Sequence, residues 1–218
     1  MRLPEQTGHT KQKQPRKPDE RIRRTHGRLG IALVQLIQEK PMDDVTVQEV
    51  LDRASVGRST FYFHFRDKND LLLSQFEKFL KMMSTALSVR KEESRRVVPV
   101  AELFAHIGSQ RKVYRALADS GRLNDFFDLA QGYFSRGIEQ RLRESKRLPK
   151  LPQRELAARG SALAGSLLSL LRWWLDRGAK EPARDMDELF HRMAWTGLQS
   201  SLSCDLRGSD TTPRHLAP

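Results

Sequence analysis

Arg58, Ser59, Tyr62 and Phe63 lie close together in the run RSTFYFH, residues 58–64, and each carries a group that can read or grip an anionic partner. A guanidinium fork suits the O6 and N7 atoms of guanine, a phenol suits a phosphate or base edge, and a phenyl ring suits a thymine methyl. A helical turn of 100° per residue brings Phe61 and Phe65 together with His64 at their edge, toward a core. It turns Ser59, Tyr62 and Phe63 the other way, with Arg58 at the N-terminal rim. Two aromatics on the outer face of a short helix are costly to leave in water unless something covers them. A major groove would cover them; a helix buried on both sides is the competing reading.

The elements that must hold these side chains can be traced outward. Thr46-Val47-Gln48-Glu49 has the form of a capping box, in which hydroxyl and carboxylate satisfy each other's backbone donors. Val47, Val50, Leu51 and Ala54 then repeat with helical spacing, and Ser55-Val56-Gly57 supplies a turn in which Val56 can tuck between the helices. Two short helices joined this way are a helix-turn-helix. A preceding helix is expected from about Asp19 or Glu20 to before Pro41, burying Ile22, Leu29, Leu33, Leu36 and Ile37.

The stretch Thr46 to Leu71 resembles the DNA-binding signature of the TetR family of bacterial transcription regulators, approximately T-x-x-x-I-A-x-x-A-G-V-S-x-x-T-F-Y-x-H-F-x-x-K-x-x-L. The shared positions are Thr46, Val50 (for Ile), Ala54, Val56, Thr60, Phe61, Tyr62, His64, Phe65, Lys68 and Leu71. The resemblance implies that Thr60, Tyr62, His64 and Lys68 sit on phosphates and that Arg58, Ser59, Tyr62 and Phe63 are candidates for base contact. It places Thr46, Val47 and Gln48 near the backbone of the same half-site. The chain departs from the signature at Leu51 (usually Ala), Ser55 (usually the turn Gly) and Gly57 (usually Ser). Ser55 lacks glycine's easy access to positive φ, which predicts a slightly strained turn.

The chain has 218 residues, a formal net charge of +12 and 38% hydrophobic residues. A basic balance of this size suits a nucleic-acid partner. Residues 1–18 form a polar, basic arm with too little apolar surface to fold alone. The N-terminus lacks the apolar core of a secretory signal, and no apolar run is long enough to span a membrane. The single cysteine, Cys204, permits no intramolecular disulfide and fits a reducing cytoplasm.

Downstream, Asp67 is the expected N-cap of a long helix supported by Asp70 and carrying Leu71, Leu72, Phe76, Phe79, Leu80 and Met83 on a broad apolar face. Three helices are expected over 98–108, 112–119 and 123–143, and two more over 155–177 and 186–203. By the resemblance, Phe76, Met83, Phe104, His106, Tyr114, Phe126, Phe127 and Tyr133 line a pocket for a small apolar or amphipathic effector, with ordinary core as the alternative. The last two helices are apolar enough to predict a homodimer interface through Leu167, Leu168, Leu171, Trp174, Phe190, Met193 and Leu198.

Catalytic and metal chemistry find little support. Glu188-x-x-His191 has the spacing of a di-iron half-site, and Glu102 with His106 could share a metal. The di-iron pattern needs a second copy and two further carboxylates, so surface salt-bridging is the expectation here. No Gly-rich phosphate loop, nucleophile elbow or H-E-x-x-H stands in the chain. The expectations are therefore an all-α protein that is not an enzyme and needs no cofactor. Its parts are a helix-turn-helix DNA-binding domain over 19–66, a helical ligand-binding and dimerisation domain over 67–207, and a polar tail over 208–218. The expected partner is a near-palindromic double-stranded operator bound as a dimer in the cytoplasm, with repression as the predicted outcome. Ligand-independent or activating regulation and a helical adaptor that binds only protein are the alternatives.

Overall fold

The computed structural model describes residues 18–88 and 96–205, with side chains placed over 20–83 and 96–198. The basic arm, the polar tail and the Cys204 side chain lie outside the described residues. Among these the chain is all-α: α1 (Pro18–Glu39), a 3-10 turn (Met42–Asp44), α2 (Val47–Ala54), α3 (Arg58–His64), α4 (Lys68–Ser88), α5 (Val100–Ser109), α6 (Arg111–Asp119), α7 (Leu123–Glu144), α8 (Gln153–Asp176) and α9 (Ala183–Asp205).

Helices α1, α2 and α3 form a small head. Leu29, Leu33, Leu36 and Ile37 of α1 pack with Val50, Leu51 and Ala54 of α2 and with Phe61 of α3, all buried. Ile22 does not join them; it is 38% exposed, because the first turns of α1 run past the head core instead of over it. The capping box forms as the spacing predicts, with the Glu49 amide donating to the Thr46 hydroxyl and the Thr46 amide donating to the Glu49 carboxylate. Ser55 takes the left-handed conformation, φ 48° and ψ 52°, so the turn is made without its usual glycine. Gly57 caps α3 in extended conformation with no side-chain hydrogen bond. The Asp67 carboxylate accepts from the Asn69 and Asp70 amides, which fixes the start of α4.

Helix α4 belongs to both halves, packing on α1 in the head and on α7 in the body, and α6 also touches α1. In the body α8 lies along α7 and α9 along α5. The α7–α8 approach is close enough that a Cβ at Gly160 would stand 2.7 Å from the Ser135 carbonyl oxygen.

Within the single chain, this packing covers most of the residues expected at a dimer surface. Leu167, Leu168, Leu171, Trp174, Phe190 and Leu198 are buried within the single chain, because α8 presents its leucines to α7 and α9 packs onto α5. Of that set Met193, 50% exposed, is the most accessible. It lies with Ala162, Ser166 and Gly197 on an apolar cleft of about 400 Å³ between α8 and α9, floored by Phe190 and Leu198.

The aromatics expected around an effector instead pack on one another. Phe126 sits between Phe76, Phe79, Tyr114 and Phe127, with ring centroids 5.3 to 6.3 Å apart. His106 stacks on Phe79 at 4.2 Å, Phe104 leans on Trp174 at 4.9 Å, and Met83 is buried. Tyr133 lies half-buried under the guanidinium of Arg136. Burial pushes the His106 imidazole below its ordinary pKa and the Tyr114 phenol above its own.

His191 does face an acid, with its Nδ1 3.5 Å from the Asp187 carboxylate, but inside the body and not on its surface. It is 8% exposed; its Nε2 accepts from the Val97 amide at 3.1 Å and its Nδ1 lies 2.8 Å from the Asp187 carbonyl. Asp187 accepts from the Ala101 amide and from Arg96, whose guanidinium also grips Glu102. Burial raises the Asp187 pKa, but bonding from His191 and the neighbouring Arg96 and Ala101 hold it below the usual range. The cluster pins the start of α5 to α9. Glu188 pairs with Arg184 at 3.0 Å, and no group of three or more His, Cys, Asp or Glu side chains among the described residues could hold a metal.

Candidate nucleic-acid interface

The outer face of α3 carries the side chains whose chemistry pointed to a duplex. Tyr62 is 48% and Phe63 81% exposed, while Phe61 directly behind them is fully buried. Arg58 lies over the Tyr62 ring, 5.6 Å from its centroid, so the fork and the phenol form one unit. Ser59 and Thr60 are exposed beside them, as are Thr46 and Gln48 at the start of α2, with Val47 half-buried. Gln48 is engaged with Asp52 at 2.8 Å. The structure therefore brings Arg58, Ser59, Thr60, Tyr62 and Phe63 to one surface.

What holds α3 in place is a set of side chains the signature does not mention. Arg28 of α1 donates to the Ser55 carbonyl at 2.9 Å, anchoring α1 to the strained turn. His26 of α1 fits between the rings of His64 and Phe65, at 4.8 and 4.7 Å. Burial, then the nearness of His64 and Lys78, lower the His26 pKa below its ordinary value. His64 also meets Phe63 edge-on at 4.9 Å. Lys40 and Arg53 pair with Glu49 and Glu39, tying α2 to the C-terminal end of α1.

Lys68 departs most from expectation. Its ammonium donates to the carbonyls of Met42, Asp43 and Val45 at 2.9, 2.7 and 2.7 Å. All three donors of a lysine are thereby used within the head. The residue joins the first turn of α4 to the 3-10 turn that leads into α2. Among the described residues Asp43 also faces Arg122 of the body at 3.7 Å.

Between α1 and α3 runs a cleft of about 350 Å³ lined by Arg21, Ile22 and Thr25 on one side and Ser59, Thr60, Phe63 and His64 on the other. Its α1 wall was invisible in the motif, and Ile22, expected in the core, lies on it. No helix among the described residues is long and apolar enough to cross a membrane.

Residues 32–74 match the family of bacterial regulatory proteins described as the tetR family. The chain is 28% identical over 82 residues to an uncharacterised HTH-type transcriptional regulator, YerO, of Bacillus subtilis, covering 38% of this chain and 28% of that protein. It is 27% identical over 88 residues to the HTH-type transcriptional regulator EthR of Mycobacterium tuberculosis, covering 37% of this chain and 41% of that one. The chain thus spans less than half the length of the curated relatives it matches. Its fold is similar to that of the dihydroxyacetone kinase operon activator DhaS, with a TM-score of 0.64 at 13% identity, over 81% of this chain and 97% of that one.

Proposed function

We propose that the protein is a cytoplasmic, dimeric, sequence-specific regulator of transcription of the TetR type, a reading that the match of residues 32–74 to that family supports. The observation that carries the proposal is the outward Arg58–Tyr62–Phe63 face of α3 on a head whose helices are braced by Arg28, His26 and Lys68. In this reading Arg58, Ser59, Tyr62 and Phe63 meet base edges, Thr60, Tyr62 and His64 meet phosphates, and Thr46, Val47 and Gln48 approach the backbone. Lys68 positions the head. Residues 19–66 bind DNA, and residues 67–207 bring two copies together so that two α3 helices meet a near-palindromic operator. The small residues and Met193 along the α8–α9 cleft support a partner seated there. Occupying a promoter in this way represses it.

An apolar or amphipathic effector is part of the proposal. The aromatic cluster around Phe126 joins α4, α6 and α7, with His106 of α5 stacked on Phe79, so a ligand parting those rings would shift α4 and, with it, the head. Selection of bound sites from random duplexes tests the regulator reading: recovery of a palindromic consensus supports it, and no retained duplex at low salt overturns it. Titration of selected duplexes across salt should show a steep loss of affinity, on the order of a thousandfold between 50 and 200 mM for six or more phosphate contacts.

A further inference from the structure

We propose that the cleft between α1 and α3 seats one backbone phosphate of bound DNA, with Arg21 as its charged wall and Ser59 and Thr60 as its hydroxyl donors. The inference rests on the DNA-binding reading above, moves Ser59 from a base edge to this phosphate, and adds α1 to the surface that does the binding.

Four features of the cleft support it. Its lining carries a guanidinium, three hydroxyls and an imidazole, and no carboxylate. Neighbouring cations are engaged elsewhere: Arg24 pairs with Glu20 at 2.8 Å, Arg28 donates to the Ser55 carbonyl and Arg58 lies over the Tyr62 ring. The side chains of Arg21, Ser59 and Thr60, in contrast, have no hydrogen-bond or ion-pair partner among the described residues. Thr25 donates to the Arg21 carbonyl at 3.1 Å and so serves as floor, not donor.

Second, both walls are fixed before any ligand arrives. Arg28 ties α1 to the turn before α3, and His26 is wedged between His64 and Phe65, so the cleft keeps its width without DNA. A preformed anion seat costs little ordering on binding. Third, the rim is apolar on both sides, with Ile22 at 38% and Phe63 at 81% exposure. That suits a nucleotide, whose deoxyribose carries carbon faces beside the phosphate, and it gives the exposed Ile22 a purpose. Fourth, Phe63 belongs both to the outward face of α3 and to the cleft. A duplex that takes this ring into its major groove therefore carries a sugar-phosphate strand past the cleft mouth.

The test uses the full-length protein and a duplex taken from random-site selection, together with an unrelated duplex, titrated at several salt concentrations. Arg21→Ala is compared with Arg23→Ala, which removes the same charge from the opposite side of α1. Arg21→Ala should weaken binding to both duplexes roughly three- to tenfold and flatten the slope of log affinity against log salt by about 0.9 per bound subunit. Arg23→Ala should do clearly less. The double variant Ser59→Ala, Thr60→Ala should weaken binding with the slope unchanged, since neither hydroxyl displaces a counterion. Equal effects of Arg21→Ala and Arg23→Ala would reduce the cleft to diffuse charge and overturn the proposal. So would an Arg21→Ala effect confined to one base pair, the mark of a base contact. Wild-type protein that retains no duplex at low salt defeats the regulator reading itself. Wild-type binding with an unchanged Arg21→Ala slope removes the phosphate seat alone.

Discussion

Lys68→Ala separates two roles that a family signature cannot tell apart. If the ammonium lies on phosphate, the substitution removes a counterion-releasing contact and leaves the fold untouched. The geometry says otherwise, because all three donors are spent on the Met42, Asp43 and Val45 carbonyls at 2.7 to 2.9 Å. Hydrogen bonds to a charged partner contribute about 1.5–3 kcal/mol, and the half-exposed site lets water replace part of the loss. We expect a net destabilisation of about 2–3 kcal/mol, or a fall in Tm of roughly 4–12 °C for a chain of this size. Operator affinity should fall because the 3-10 turn no longer holds α2 against α4, yet the salt slope should stay that of wild type. Thermal unfolding and a salt titration of the same preparation read both quantities. A slope flattened by about 0.9 per subunit with Tm unchanged would put Lys68 on phosphate and refute the positioning role.

Other outcomes follow from single residues. Gly160→Ala should destabilise the body by about 1–3 kcal/mol, because its Cβ would meet the Ser135 carbonyl oxygen at 2.7 Å. Gly137→Ala in α7 meets nothing within 4 Å and should stabilise by about 0.5–1 kcal/mol; equal denaturant midpoints for the two would contradict the close α7–α8 approach. Ser55→Gly should raise stability by about 1 kcal/mol by relieving the left-handed backbone at φ 48°, read as a higher urea midpoint. Glu49 is held at a pKa of about 2, against an ordinary 4.5, first by its hydrogen bond from Lys40 and then by those from Thr46. Its folded pKa is depressed, so its contribution is complete above pH 4.5 and is lost as the pH falls toward 2. Glu49→Gln should flatten that part of the stability profile, whereas an unchanged slope would show that the capping box does not titrate.

The features legible in the sequence were those decided within a few residues. The Thr46–Glu49 box, the Asp67 cap, the inward Phe61 and outward Phe63, and the helical body all depend on local spacing, and the structure reproduces them. The illegible features depend on distant partners. Nothing near Lys68 announces carbonyls 23 to 26 residues earlier, and nothing in Glu188-x-x-His191 announces the Val97 amide 94 residues away. Helical periodicity identifies the apolar face of α8 without saying which helix covers it. Here α7 does so from within the same chain. Ile22 shared the period of the α1 core residues, but periodicity does not tell where that core ends.

The exposed Phe63 ring divides any groove complex into two parts that respond to different variables. Ionic contacts weaken as salt rises, whereas removing a ring that is 81% exposed from water is nearly indifferent to salt and carries a negative heat-capacity change. Burying a phenylalanine contributes about 1.5–3 kcal/mol. At high ionic strength this apolar contribution is what remains, and a van't Hoff plot of binding should curve. The same ring leaves the unbound protein with a hydrophobic tip, so spare copies are more prone to self-association than those already on DNA.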